Sequence, residues 1–87
     1  MTREELTKRA EALVRKQWTD YNDDPCPDIR PETLFADHLR FDSLDHVELV
    51  LEFEDEFDIE VSDEDAEGLK TFSQAVAYLA QRLQVAA

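Results

Sequence analysis

The sequence has one cysteine, one glycine and no long apolar run among its 87 residues. A single thiol excludes an internal disulfide framework and a cysteine-rich zinc site, so we expect Cys26 to be a reduced residue with a structural or incidental role. A membrane span needs about 20 consecutive apolar residues, and a secretion signal also needs a continuous apolar region. Because neither pattern occurs, the sequence predicts a cytoplasmic protein without a membrane span.

Basic residues are also scarce, with 9 Lys and Arg against 22 Asp and Glu, for a formal net charge of -13. Such a charge repels nucleic acid phosphates and anionic membranes, and it attracts basic protein surfaces. The hydrophobic content of 43% is nevertheless enough for a folded core. We therefore expect one domain over residues 1–87, a monomer whose partners are proteins with basic patches rather than nucleic acids.

Apolar residues recur at helical spacing in several blocks, and regular strand alternation is absent. The spacing predicts longer helices over about residues 3–18, 43–57 and 72–84, and a short helix between Ser62 and Gly68. The expected N-caps of the four helices are Thr2, Asp42, Ser62 and Thr71. A long loop with three prolines follows the first helix, and we expect one helical turn after Pro31. The fold class is all-α, a small four-helix bundle.

The second predicted helix has more apolar surface than its contact with the core requires. Its buried stripe is predicted to be Leu49, Val50, Phe53 and Phe57. Leu44, Val47 and Leu51 are turned well away from that stripe and should be at least partly exposed. The carboxylates beside them are Glu48, Glu52, Asp55 and Glu56. This face favours docking to a basic, partly apolar surface, although packing of Leu44 and Val47 beneath the loop would leave only a solvated face.

Ser43 lies at the first position of this helix, between the carboxylates of Asp42 and Asp45. Asp42 suits the N-cap, and Asp45 complements the helix dipole in the first turn. Free backbone N–H groups and the positive end of the dipole also favour a phosphate at this end of a helix. A serine at a helix start is ordinarily structural, so these arguments leave open whether Ser43 is a structural residue or a modification site.

The sequence matches known catalytic and metal-binding motifs poorly. The G-x-S-x-G elbow is absent and His46 should face the buried side of its helix, so Ser43 is not expected to be an enzyme nucleophile. The acidic runs lack the ligand spacing of an EF-hand loop, and His38 and His46 are eight residues apart rather than four. We therefore expect neither an enzyme nor a metal site.

The segments "DSLDHVELVLEFEDEF" and "IEVSDEDAEGLKTFSQAVAYL" resemble the acyl carrier proteins. The likeness covers roughly residues 34–83, and D-S-L inside an acidic helix is a specific signal. It implies that Ser43, in Asp42-Ser43-Leu44, is esterified by 4'-phosphopantetheine from coenzyme A, whose thiol carries acyl groups as thioesters. The resemblance therefore favours the modification site over the structural residue.

The resemblance also implies roles for the residues that follow. The positions expected to meet basic patches on partners are Leu44, Asp45, Val47, Glu48, Leu51, Glu52 and Asp55. The implied partners are a phosphopantetheinyl transferase and acyl-loading, condensing or acyltransferase enzymes. The residues expected to line the acyl chain between the helices are Phe53, Val61, Ala66, Leu69 and Ala75.

The approach to the serine departs from the family pattern. Family members commonly read Leu-Gly-Ala-Asp-Ser-Leu, whereas Arg40 and Phe41 replace the Gly-Ala pair here. The difference predicts a specialised carrier that serves a dedicated pathway rather than the housekeeping carrier of fatty acid synthesis. The resemblance as a whole implies a role in fatty acid, lipid or polyketide-type biosynthesis. Two alternatives stay open: an aminoacyl or peptidyl carrier, and an acidic interaction module with the same fold and no prosthetic group.

Overall fold

Four helices make up the structure, a computed structural model that describes residues 1–85. They are α1 (Arg3–Tyr21), α2 (Ser43–Phe57), α3 (Asp63–Glu67) and α4 (Phe72–Arg82). The prediction of a small all-α bundle with three longer helices and one short one is confirmed. The predicted limits of α2 are also confirmed, whereas α4 ends two residues earlier than expected.

All four predicted N-caps are confirmed. Each capping side chain accepts a backbone N–H from the residue three positions later, at 2.9–3.1 Å. The capping residues are Thr2, Asp42, Ser62 and Thr71. In α2 and α4 the later side chain also accepts the N–H of the cap, which completes a capping box. Local sequence therefore fixes where the helices begin.

α1 is longer than the sequence predicts and ends at Tyr21 rather than near residue 18. The polar residues of its last turn remain helical because Lys16 pairs with Asp20 at 3.2 Å and Thr19 Oγ1 donates to a carbonyl one turn earlier. Asn22 then closes the helix, since its side-chain amide donates to the Trp18 carbonyl at 2.8 Å. This extra turn places Tyr21 beside α2.

The loop between α1 and α2 is tied to the start of α4. Leu34 and Thr71 form an isolated antiparallel bridge, in which Phe35 N–H donates to Lys70 O at 3.0 Å. The expected helical turn consists of two bonds to Leu34 O, from His38 N–H at 3.0 Å and from Leu39 N–H at 3.3 Å. This attachment brings Phe35 into the core, where it is 2% exposed.

α1 packs against α2 and α4 around the core. The predicted buried stripe of α2 is confirmed, because Leu49, Val50, Phe53 and Phe57 are all buried. On the opposite side, Leu44 is 65% exposed and Val47 and Leu51 are each 54% exposed. We call these three residues the exposed strip. Within residues 1–85, no helix has both the length and the apolar character needed to cross a bilayer.

Candidate functional site

The Ser43 side chain is exposed at the first position of α2. Asp42 and Asp45 hold the turn around it through reciprocal bonds between side chain and backbone, of 2.9 and 3.1 Å. The Ser43 hydroxyl takes no part in this capping box. In the described part of the chain, the N–H groups of Ser43 and Leu44 have no acceptor. The site therefore combines an accessible hydroxyl with two N–H groups that can bind an anion.

A sharp backbone turn lies just before Ser43. Arg40 adopts a left-handed conformation with φ 57°. Leu39 and Phe41 are buried on either side of it, at 2% and 7% exposure. Phe41 N–H also donates to Phe35 O at 3.0 Å. Because both neighbours are fixed in the core, the turn holds the start of α2 in a defined position.

A groove of about 750 Å³ lies between the start of α2, the short helix α3 and the loop that precedes α2. Ser43 contributes to its lining, together with the stacked rings of Phe35 and Phe41, whose centroids are 6.2 Å apart. Its other lining residues are Leu34, Ala36, Asp37, Asp42, His46, Val47, Asp63, Ala66, Glu67, Leu69 and Lys70. The groove is thus largely apolar and opens directly beside the serine hydroxyl.

His46 connects the two helices that flank the groove. Its Nε2 lies 2.8 Å from the carbonyl oxygen of Ala66, so Nε2 carries the proton and donates it. The imidazole centroid is also 6.0 Å from that of Phe35. His46 is half-buried, as its predicted orientation toward the inner side of α2 requires. The side chain acts as a brace that holds α3 against α2.

The five residues expected to line an acyl chain occupy different places. Ala66 and Leu69 line the groove. Phe53 and Ala75 lie in the closed core, at 1% and 0% exposure. Val61 is half-buried outside the groove, where its N–H donates to a Glu54 carboxylate oxygen at 2.8 Å.

The groove also includes residues that sequence reasoning did not select, among them Leu34, Phe35, His46 and Lys70. Leu34, Phe35 and Lys70 reach it through the bridge between residues 34 and 71, which has no local sequence pattern. His46 had a usable signal, because it follows Ser43 by three residues and so lies one helical turn from it.

Three carboxylates of α2 face α1 and have partners there. Tyr21 OH donates to Glu48 at 2.8 Å, Lys16 lies 3.4 Å from Glu52, and Arg9 lies 2.6 Å from Glu56. In contrast, Asp55 is exposed and has no ion pair in the described part of the chain. The acidic edge of the exposed strip is therefore partly neutralised within the molecule.

Two side chains, Tyr21 near this face and Cys26 in the loop, have pKa values raised above their ordinary values. The hydrogen bond to Glu48, together with the nearby charges of Asp45 and Asp20, raises the pKa of the Tyr21 hydroxyl above its ordinary value. Burial raises the pKa of the Cys26 thiol, with Arg15 opposing that effect. Cys26 therefore stays protonated at neutral pH, the less nucleophilic form of a thiol.

Comparisons with known proteins agree with this geometry. Residues 12–79 match a family model described as a phosphopantetheine attachment site. Acyl carrier proteins from Chlorobium phaeobacteroides and Chlorobium phaeovibrioides are each 50% identical over 54 residues, or 62% of this chain and 69% of the relative. A solved Mycobacterium tuberculosis structure, described as of acyl carrier type, has a TM-score of 0.77 and 30% identity, covering 88% of this chain and 97% of that one.

Proposed function

Because this chain belongs to the acyl carrier protein family, we propose that Ser43 is the residue to which its 4'-phosphopantetheine is attached. When bound, that group supplies a thiol that carries acyl groups as thioesters. The observation that supports Ser43 is its exposed hydroxyl at the start of α2, beside the groove. The chain itself then acts as a carrier and not as an enzyme.

The residues around Ser43 fit this group. The N–H groups of Ser43 and Leu44 are free to bind phosphate oxygens at the positive end of α2. Asp42 contributes by fixing the first turn of α2, since its carboxylate accepts the Asp45 N–H. Val47 and Leu69 supply apolar surface in the adjacent groove. The chain would therefore present the hydroxyl, bind the phosphate through these N–H groups and offer an apolar surface beside it.

The exposed strip and its carboxylates form the proposed docking face. The acidic members are Asp45, Glu48, Glu52 and Asp55. A phosphopantetheinyl transferase, and acyl-loading, condensing or acyltransferase enzymes, would meet this face with basic residues around an apolar centre. Such docking weakens as salt screens the charges. Covalent attachment keeps the acyl group at a high effective concentration near each enzyme in turn.

We place the carrier in the cytoplasm as a monomer that serves fatty acid, lipid or polyketide-type biosynthesis. Ala66 and Leu69, which line the groove, are the residues that would contact the acyl group first. Phe53, Val61 and Ala75 would contact it only if the groove extended inward, because two of them lie in the closed core and Val61 lies outside the groove.

Modification of purified protein tests the proposal. The chain is incubated with coenzyme A and a broad-specificity phosphopantetheinyl transferase, and its intact mass and modified peptide are measured. Ser43→Ala should abolish the addition without unfolding the protein, because Asp42 and not Ser43 caps α2. Ser73→Ala is the matched control, since Ser73 is an exposed serine in the first turn of α4.

One added phosphopantetheine on wild type and on Ser73→Ala, and none on folded Ser43→Ala, would support the proposed function. Addition to Ser43→Ala would assign the group to another residue. An unmodified wild-type chain, with a transferase that modifies another carrier, would favour the interaction module without a prosthetic group.

A further inference from the structure

Tyr21 extends the exposed apolar surface beyond α2. The large apolar side chains that are exposed within residues 1–85 are Met1, Tyr21, Leu44, Val47 and Leu51. Tyr21 is 60% exposed at the end of α1, and its hydroxyl donates to Glu48. Glu48 lies one helical turn from both Leu44 and Leu51. The Tyr21 ring is therefore tethered beside the exposed strip.

The surroundings of this ring are anionic. Its hydroxyl is bonded to Glu48, and the charges of Asp45 and Asp20 also act on it. Lys16, on the same helix, is already 3.2 Å from Asp20 and 3.4 Å from Glu52. Within the described residues, no cationic side chain lies over the Tyr21 ring. An exposed aromatic face among carboxylates attracts a cation.

Two other places in the molecule combine an aromatic ring and a carboxylate with an arginine. Tyr78 OH donates to Asp65 at 2.8 Å, and Arg82 lies with its guanidinium carbon 5.6 Å from the ring centroid. Phe57 follows Glu56, and Arg9 both bonds that carboxylate and lies 4.9 Å from the ring centroid. In both places an arginine contacts an aromatic ring that has a carboxylate beside it, and at Tyr78 the Arg82 Nη1 also donates to the ring hydroxyl at 2.6 Å. The pair of Tyr21 and Glu48 has the ring and the carboxylate without the arginine.

We propose that Tyr21 and Glu48 form a receptor for an arginine on the phosphopantetheinyl transferase that modifies Ser43, an inference that rests on the proposed function. A planar guanidinium can cover the ring and bond the carboxylate at once, whereas the ammonium of lysine is a point charge. Leu44 and Leu51 provide apolar contacts on either side. Tyr21 is thus a docking residue on α1 that complements the surface of α2.

Transferase kinetics with variants of α1 test this receptor. The KM for the carrier is measured at saturating coenzyme A and low salt. Tyr21→Leu should raise KM by about threefold with kcat unchanged, which corresponds to the loss of one exposed cation–π contact. Tyr21→Phe keeps the ring and should stay closer to wild type than Tyr21→Leu. Ala12→Leu is the control and should leave KM unchanged, because Ala12 is exposed on α1 nine residues before Tyr21, about half a turn away around the helix.

Circular dichroism confirms that each variant is folded. An unchanged KM for Tyr21→Leu, with wild type modified normally, would overturn the receptor and leave the proposed function intact. In the complex, intermolecular NOEs from the Tyr21 ring protons to arginine δ-methylene protons are expected, and NOEs to a lysine ε-methylene would overturn the arginine assignment. Failure of wild type to be modified would overturn the proposed function and this inference with it.

Discussion

The backbone at Arg40 shows how one residue can work against the turn that it occupies. Its φ of 57° is a conformation that glycine adopts freely and that a residue with a Cβ adopts at a cost. Glycine is common at this position in the family that the sequence resembles. Arg40 is therefore a departure from the family pattern, and its physical effect is a side chain on a left-handed backbone. Arg40 brings a positive charge near Ser43 and a strained backbone with it.

Replacing Arg40 separates the backbone effect from the charge. Arg40→Gly should be more stable than Arg40→Ala by about 1 kcal/mol, because both remove the charge and only glycine relieves the strain. Ala12→Gly is the control, since Ala12 is exposed within α1 and glycine there should lower stability by about 1 kcal/mol. The free energies of unfolding come from urea denaturation followed by circular dichroism. Equal stability of Arg40→Gly and Arg40→Ala would contradict the strain.

At the scale of elements, the sequence predicted what depends on neighbours along the chain. The N-caps and the buried stripe of α2 follow from local spacing, and both are confirmed. The groove depends on contacts between distant segments, such as the bridge from Leu34 to Thr71 and the bond from His46 to Ala66. Phe53 and Ala75, which are predicted to lie along an acyl path, are enclosed in the core by the packing of α1, α2 and α4, and their contact with an acyl group stays a prediction.

The start of α2 offers a test of capping as distinct from charge. Asp42→Ala should lower the free energy of unfolding by about 1 kcal/mol, because the Asp45 N–H loses its acceptor. Asp42→Asn should remain close to wild type, since asparagine caps equally well without the charge. Urea denaturation of both variants gives the comparison. If Asp42→Asn lost as much stability as Asp42→Ala, the carboxylate charge and not the cap would be the cause.

On the scale of the whole molecule, the charge is unevenly distributed. α2 and α3 contain no Lys or Arg, whereas α1 contains five basic residues. The ion pairs between α1 and α2 offset part of the repulsion. α3 and the segment before it have a high density of carboxylates, which include Asp58, at the C-terminal end of α2 where negative charge is least favourable.

Salt should therefore stabilise the fold. We expect added NaCl to raise Tm by about 5 °C from a low-salt buffer, the shift produced by roughly 1 kcal/mol in a domain of this size. Asp58→Asn should raise Tm at low salt and reduce the salt response, because it removes a negative charge at the C-terminal end of α2. The substitution adds no backbone strain, since asparagine tolerates the left-handed conformation that residue 58 adopts. Glu4→Gln, which removes the partner of Lys8 in the first turn of α1, should not raise Tm. Melting curves that are insensitive to salt would contradict this account.

The short helix α3 is the wall of the groove that can move most easily, because the other helices are packed in the core. α3 has no buried residue, and its side of the groove is braced by the bond from His46 to Ala66 and the bond from Tyr78 to Asp65. Displacing α3 would break these two bonds and expose little apolar area, whereas moving α1, α2 or α4 would open the core. The width of the groove beside Ser43 can therefore change with little effect on the stability of the bundle. A carrier built this way can adjust to groups of different bulk while its scaffold stays the same.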